Sequence, residues 1–503
     1  MPSVDLWTAR SQRMNDSLGI TGFGAYIPRL RLDRAAVVAA TSWADPGLRA
    51  LGRGERSICD WDEDSVTLAV EAARDCLTGR PRNQISRVVH ASTSAPFADR
   101  QSSAVVAAAL GLDTGIAALD VAQSQRAGTS ALLFALGSTQ VSGTESLVVA
   151  AEHRRCKPGS NRELLYGDGA AALTLGNEGV VARVLGSASR THDFVDHYRR
   201  ALDGFDHDWE ERWVRDEGYL KLVPPVIAEA LRNAGVEAST IRHFVLPCIY
   251  SRVREAVAKE AGIAAEAVRD NLGAVCGETG TAHALLMLVA TLEQAAAGER
   301  ILVVGFGQGV DAIVLETTPQ LQRLPARPGV RGHLLRRTAE RNYTKFQSLN
   351  QIVQMNWGTR AEVDRKTAIS AAYRNRDLLA MVGGRCTRCG TVQFPRSNLC
   401  VNPECVAEHS QEAFPLAETT GRIASVTSDW LALSKHPPQR YGMIELDPGT
   451  KLMMQITADG GVEPAVGMPV RLQFRIKEID PMREYQSYFW KASLDLPLAE
   501  KAS

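Results

Sequence analysis

Charge of either sign is not in surplus in this 503-residue chain: 57 Lys plus Arg meet 57 Asp plus Glu. A protein that neutralises a run of phosphates carries an excess of cations, so the balance argues against a dedicated nucleic-acid binder, and no basic tail or RNA-binding signature is present. Long apolar runs are absent as well. The longest, AHALLMLVATLEQAAA, is broken by His283 and Glu293 before the roughly 18–20 uninterrupted residues that a bilayer crossing needs. No membrane span is expected. The opening residues, MPSVDLWTARSQRMND, lack the basic-then-apolar order of a secretory signal, so the expected compartment is the cytoplasm. There the nine cysteines are expected as thiols or metal ligands.

What is present changes character along the chain. Residues 18–320 alternate short β-branched runs with alanine-rich amphipathic segments. Strands are predicted at 87–93, 145–151, 243–247 and 301–305, each followed by Gly, Pro or small residues. Helices are predicted at 64–77, 102–110, 128–142, 218–234 and 281–297; in the first, Val66, Ala69, Val70, Ala73 and Leu77 share a face and Asp62 or Asp64 can cap it. Such alternation predicts an α/β domain with a largely parallel, doubly covered sheet. The element order of 18–175 recurs loosely in 215–317, as a duplication would give. Residues 1–17 read as a tail. Residues 321–380 form an Arg-rich stretch, with 12 Lys or Arg against four acids in 321–377, predicting a linker with one or two solvated helices, or a docking strip for phosphate groups or a partner. From 413 to 498 short alternating runs separated by DPGT, ADGG and VGMP predict a small antiparallel β barrel.

Between them, in 381–412, lies a cysteine cluster. Cys386-Thr-Arg-Cys389 is followed by Cys400 and Cys405, two knuckles that supply the tetrahedral sulfur shell Zn²⁺ favours. Four protein ligands leave no open position for water, so this Zn²⁺ is expected to be structural. A zinc ribbon ahead of a five-stranded barrel, with SDWLALSKHPPQRYGMIEL and VGMPVRLQFR, resembles the zinc-ribbon/OB-fold family that accompanies thiolase-like enzymes. That resemblance implies a module helping to form a coenzyme A or pantetheine passage.

Tyr166-Gly-Asp-Gly-Ala170 before a strand, ITGFGAYIPRLRL near the start and HASTSAP ending a strand resemble the thiolase-like superfamily, in particular β-ketoacyl-acyl-carrier-protein synthase III and hydroxymethylglutaryl-CoA synthase. The resemblance implies a thiolase-like α/β fold of duplicated βαβαβ halves, an acyl-CoA or acyl-carrier-protein substrate, and a homodimer. Gly305-Phe-Gly307-Gln-Gly309 follows a strand, but AIVLE after it reads as another strand, so the helix that would receive a pyrophosphate is missing. Gly307 is instead expected beside the substrate.

The family's catalytic positions are altered. Where the nucleophilic Cys is expected stands Gln125; where the His is expected, after Leu246-Pro247, stands Cys248; where Gly-Asn-Thr is expected stands Gly277-Glu278-Thr279; and Thr93 replaces a Glu of the hydroxymethylglutaryl-CoA synthases. Glutamine cannot form a thioester, which excludes ping-pong condensation at that position. The leading expectation is acyl transfer from CoA to a carbon, nitrogen or sulfur acceptor, with Cys248 taking the acyl group, Glu278 as base and Gln125 orienting the carbonyl. Thr93, Tyr250, His283 and Gly307 would contact substrate, and His243 could also reach the site. Three alternatives stay open: a scaffold or channelling subunit for a thiolase or carrier-protein partner; a retro-aldolase using Tyr250 and Glu278; and a Gln-type decarboxylase. Cys59, Cys76, Cys156 and Cys276 are expected in the core. Trp209 and Trp213 are expected on a helix bordering an acyl tunnel.

Overall fold

A computed structural model describes residues 17–200, 203–356, 376–457, 462–480 and 485–495. Nine strands form one sheet in the spatial order Ile241–Val245, Arg300–Phe306, Gly309–Thr317, Ala182–Thr191, Gly19–Tyr26, Gly169–Gly176, Glu145–Glu152, Ile85–Ala91 and Ala117–Val121. The duplication is visible in the pairing. In one half Gly19–Tyr26 pairs antiparallel with Gly169–Gly176, which pairs antiparallel with Glu145–Glu152, which runs parallel to Ile85–Ala91. In the other, Ala182–Thr191, Gly309–Thr317, Arg300–Phe306 and Ile241–Val245 repeat those relations. The second half therefore starts at Ala182, earlier than the sequence pattern indicated. The sheet is also mixed rather than largely parallel. Strands buried on both faces read as unbroken apolar runs whatever their direction, so composition alone could not separate the two arrangements.

Helices cover both faces. Ser65–Cys76 starts at a reciprocal cap: the Asp64 carboxylate accepts the Thr67 N–H and the Thr67 hydroxyl accepts the Asp64 N–H, each at 2.8 Å. Ala127–Ser142 and His283–Leu292 pack behind the sheet with Leu132, Leu136, Leu285 and Leu288 fully buried. The helix predicted at 218–234 is Leu220–Ala234, entered through a π-helical turn, Val214–Tyr219, in which the Leu220 N–H reaches the Arg215 carbonyl. No helix among the described residues is long and apolar enough to cross a membrane.

The Arg-rich stretch is not a solvated linker where it is described. Thr338–Glu340 adds a parallel strand to Leu30–Asp33, and Tyr343–Leu349 buries Phe346 and Leu349 while the Tyr343 hydroxyl donates to Glu163. Its remainder, 357–375, lies outside the described residues, as do 1–16 of the expected tail.

Strands Val382–Cys386, Val392–Gln393 and Gln411–Pro415 form the ribbon. Five strands then close into a small barrel: Thr420–Ile423 pairs with Gln439–Leu446 and Pro469–Asp480, these with Lys451–Gln455 and Tyr485–Leu494, and the Thr457 N–H donates to the Ala492 carbonyl at 2.8 Å to complete the ring, while Thr427–Asp429 adds a sixth strand against Gln439–Leu446. The barrel shares one apolar core with helix Ser65–Cys76, where Val66 and Val70 meet Phe474 and Trp490 in the same cluster. The acidic run 60–64 is buried against barrel cations: Lys491 Nζ lies 2.7 Å from Asp62, Arg475 3.0 Å from both Asp62 and Glu63, and His436 bonds Asp60.

Candidate functional site

Three connections converge on one small pocket. Gln125 sits just ahead of helix Ala127–Ser142, whose backbone approaches Thr281 so closely that a Cβ at Gly128 would lie 2.2 Å from the Thr281 carbonyl oxygen. Cys248 and Tyr250 follow strand Ile241–Val245. Glu278 is held by backbone pairing with the Tyr166 turn: its N–H donates to Leu165 at 2.9 Å and its carbonyl accepts the Gly167 N–H at 2.8 Å. Gly277, at φ 82°, makes that approach possible, since a Cβ there would stand 2.7 Å from the Tyr166 carbonyl.

Both oxygens of Glu278 are engaged. Gln125 Nε2 donates to Oε1 at 2.8 Å, and Arg154 Nη1 meets Oε2 at 3.1 Å. Arg154 also reaches Asp206 at 2.7 Å and lies 3.6 Å from the centre of the Tyr166 ring. Both members of the Arg154–Glu278 pair are buried, so removing Arg154 would strand the Glu278 charge, while Arg154 without Glu278 keeps Asp206. Opposite them, Tyr250 accepts a hydrogen bond from Arg162 Nη2 at 3.0 Å, and Arg162 is anchored to Asp208. Burial raises the Tyr250 pKa, with Arg162 acting against that rise.

Cys248 is not activated in this arrangement. Burial pushes its thiol up to about 12, and its Sγ contacts the Tyr250 carbonyl at 3.9 Å. No hydrogen bond joins it to Glu278 among the described residues. The pocket around these groups has a volume of about 30 Å³, room for about two or three water-sized groups. Its inner wall is aromatic: the Tyr219 and Phe306 rings lie 4.1 Å apart, and Phe306 meets Phe194, which stacks on Trp213 at 5.6 Å. Trp213 ends a short helix, Glu211–Trp213, while Trp209 lies before it against Tyr198.

The structure thus brings Gln125, Cys248, Tyr250 and Glu278 together as pocket lining. Gly307 lies directly behind Gln125, where a Cβ would be 3.0 Å from the Gln125 Cβ. It sits in the hairpin between Arg300–Phe306 and Gly309–Thr317, so no helix follows it. Thr93 does not line the pocket; its N–H and hydroxyl are spent on the Glu152 carboxylate at 3.3 and 3.1 Å, which Thr281 also binds. His283 also turns away: Nδ1 accepts the Thr279 N–H and Nε2 meets the Asn271 carbonyl. His243 pairs with Glu299 at 2.8 Å near the start of its strand. Sequence reasoning missed Arg154 and Arg162, and took Tyr166 only as part of a family motif, not as a site residue. An arginine after a strand has no motif of its own, and Glu278 lies 124 residues from Arg154.

In the ribbon, the sulfurs of Cys386, Cys389, Cys400 and Cys405 all lie within 4.8 Å of one another, with 3.8 Å between Cys386 and Cys405 and 3.6 Å between Cys389 and Cys400. Four thiol groups at that spacing fit a tetrahedral metal ion.

Residues 231–316 match the family model for the C-terminal part of 3-oxoacyl-[acyl-carrier-protein] synthase III, and 381–409 match the rubredoxin-like zinc ribbon domain of ChsH2. A hydroxymethylglutaryl-CoA synthase structure complexed with CoA aligns at a TM-score of 0.60 and 18% identity, covering 70% of this chain and 95% of that one. At that identity the likeness speaks for the thiolase-like fold alone. Among curated relatives, the hydroxymethylglutaryl-CoA synthase of Caldivirga maquilingensis is 28% identical over 351 residues, 68% of this chain and 100% of the relative. That of Aeropyrum pernix is 30% identical over 342 residues, 66% of this chain and 94% of the relative. The duplicated sheet, the pocket at the ends of its strands and relatives matched over nearly their whole length lead to one assignment: the chain belongs to the hydroxymethylglutaryl-CoA synthase family of thiolase-like proteins.

Proposed function

We propose that the chain is an enzyme of acyl-CoA thioesters that forms no acyl-enzyme and carries out an aldol-type carbon–carbon step, in either direction, between an acyl-CoA enolate and a carbonyl compound. The observation that carries this reading is the Gln125–Glu278–Arg154 chain where the family places a nucleophile and its partners, beside a Cys248 thiol raised to about 12. In the cleavage direction Glu278 takes the β-hydroxyl proton, the O–H electrons become the carbonyl bond, and the Cα–Cβ bond breaks to leave an enolate. Tyr250, polarised by Arg162, returns a proton to the α-carbon. The second N–H of the Gln125 amide is the donor available to the thioester oxygen.

The supporting roles follow from the same surroundings. The ribbon cysteines hold a structural Zn²⁺, and the barrel helps to admit the CoA thioester. A second copy of the chain is expected at the sheet edge formed by Ala117–Val121, where Leu119 and, on the adjacent helix, Phe134 are exposed.

The test is turnover of a panel of β-hydroxyacyl-CoA substrates combined with intact-protein mass spectrometry. Release of a carbonyl compound and a shorter acyl-CoA, at least 100-fold slower in Glu278→Gln and Tyr250→Phe and without any protein adduct, is the expected result. An acyl adduct that vanishes in Cys248→Ala would replace this reading with acyl transfer through Cys248. Turnover only with a copurifying thiolase would favour the scaffold.

A further inference from the structure

The Tyr166-Gly-Asp-Gly turn carries a carboxylate that the proposed chemistry does not use. Asp168 is fully buried. Its Oδ1 accepts the Arg154 N–H at 3.0 Å and lies 3.9 Å from Arg56; its Oδ2 accepts the Cys59 N–H at 2.7 Å. His153 Nδ1 stands 3.2 Å from the same Oδ2. That nitrogen is buried, and its contact with Asp168 is an ion pair whose geometry falls short of a hydrogen bond. The Cys59 sulfur completes a group of three donor atoms all within 4.8 Å of one another.

The three donor atoms therefore stand close enough together to be ligands of one ion. Their supports are rigid. Cys59 follows strand Glu55–Ile58, His153 follows Glu145–Glu152 and Asp168 precedes Gly169–Gly176. The carboxylate is oriented by backbone N–H groups and by Arg56, the kind of outer support that fixes a metal-binding carboxylate. One thiolate, one neutral imidazole and one carboxylate balance a dication, and this mix of sulfur, nitrogen and oxygen suits zinc rather than calcium or magnesium.

We propose that Cys59, His153 and Asp168 form a second zinc site, separate from the ribbon, with water in the fourth position. Because His153 directly precedes Arg154, and Asp168 also binds the Arg154 N–H, an ion here braces the turn that delivers Arg154 to Glu278.

The experiment is metal analysis of the full chain, without an affinity tag, after dialysis against a weak chelator. Two equivalents of zinc per chain are expected in the natural protein, and one in Cys59→Ser and in His153→Gln. Cobalt substitution reports the second site directly: both variants should lose a one-thiolate spectrum and keep the four-thiolate spectrum of the ribbon. His153 is only partly buried, so His153→Gln guards against a folding failure in Cys59→Ser. One equivalent in the natural protein, or the same content in the natural protein and both variants, would overturn the proposal.

Discussion

Replacing Arg154 with Met preserves most of the side-chain volume while removing its charge. Glu278, only 4% exposed, would then keep a single polar partner, the Gln125 amide. Asp206 would fare better, because Arg199 still reaches it at 2.8 Å. Leaving one buried charge unpaired costs about 3–5 kcal/mol, which for a domain of about 300 residues lowers the melting temperature by about 5–8 °C. Glu278→Gln alone leaves Arg154 paired with Asp206 and should cost about 1 kcal/mol. The double variant has no carboxylate left to strand, so it should regain at least about 2 kcal/mol over Arg154→Met. Calorimetry of the four proteins reads these differences. If Arg154→Met and the double variant melt within about 1 °C of each other, Glu278 is not the charge that Arg154 neutralises.

Three further outcomes follow from the same structure. With its thiol at about 12, Cys248 should resist iodoacetamide in the native protein at pH 7.5, and rapid labelling there would contradict its burial. Asp60 is buried, which alone would raise its pKa, but His436 overrides burial and holds it near 2. Because the folded value lies below the ordinary 3.8, Asp60 contributes fully above about pH 4 and loses roughly 2 kcal/mol between pH 4 and 2. Urea titrations at pH 5 and 2.5 should show that loss reduced in His436→Gln; an unchanged acid dependence would count against the pair. Finally, a strong chelator should unfold the ribbon and expose the contact between Phe394 and barrel residue Phe489, read by circular dichroism and limited proteolysis. Unchanged digestion after complete zinc removal would show that the ribbon stands without metal.

Local signals were legible where a few neighbouring residues decide the outcome. Asp64 and Thr67 announce a helix start, and the two cysteine pairs announce a metal knuckle, because cap and ligand geometry are set by short spacings. The placement of Gln125, Cys248 and Glu278 was legible through resemblance to an ordered set of family motifs. What spacing could not tell was the direction of a side chain at the end of a strand. Thr93 and His283 sit in the expected connections, but Glu152 claims the first, while Thr279 and Asn271 claim the second. The docked Arg-rich stretch escaped for a similar reason. Its strand Thr338–Glu340 is only three residues long and is created by pairing with Leu30–Asp33, so no local alternation reveals it.

The burial of residues 60–64 against the barrel also sets a timetable. Lys491 is 429 residues from its partner Asp62, and Tyr488 is 424 from Asp64. At about 5–20 residues per second, the ribosome delivers those partners roughly 20–90 s after the acids themselves emerge. Throughout that interval the face of helix Ser65–Cys76 that later meets Phe474 and Trp490 lacks the cover of the barrel. The α/β part of this protein must therefore wait, incomplete and adhesive, for strand Tyr485–Leu494 to be made.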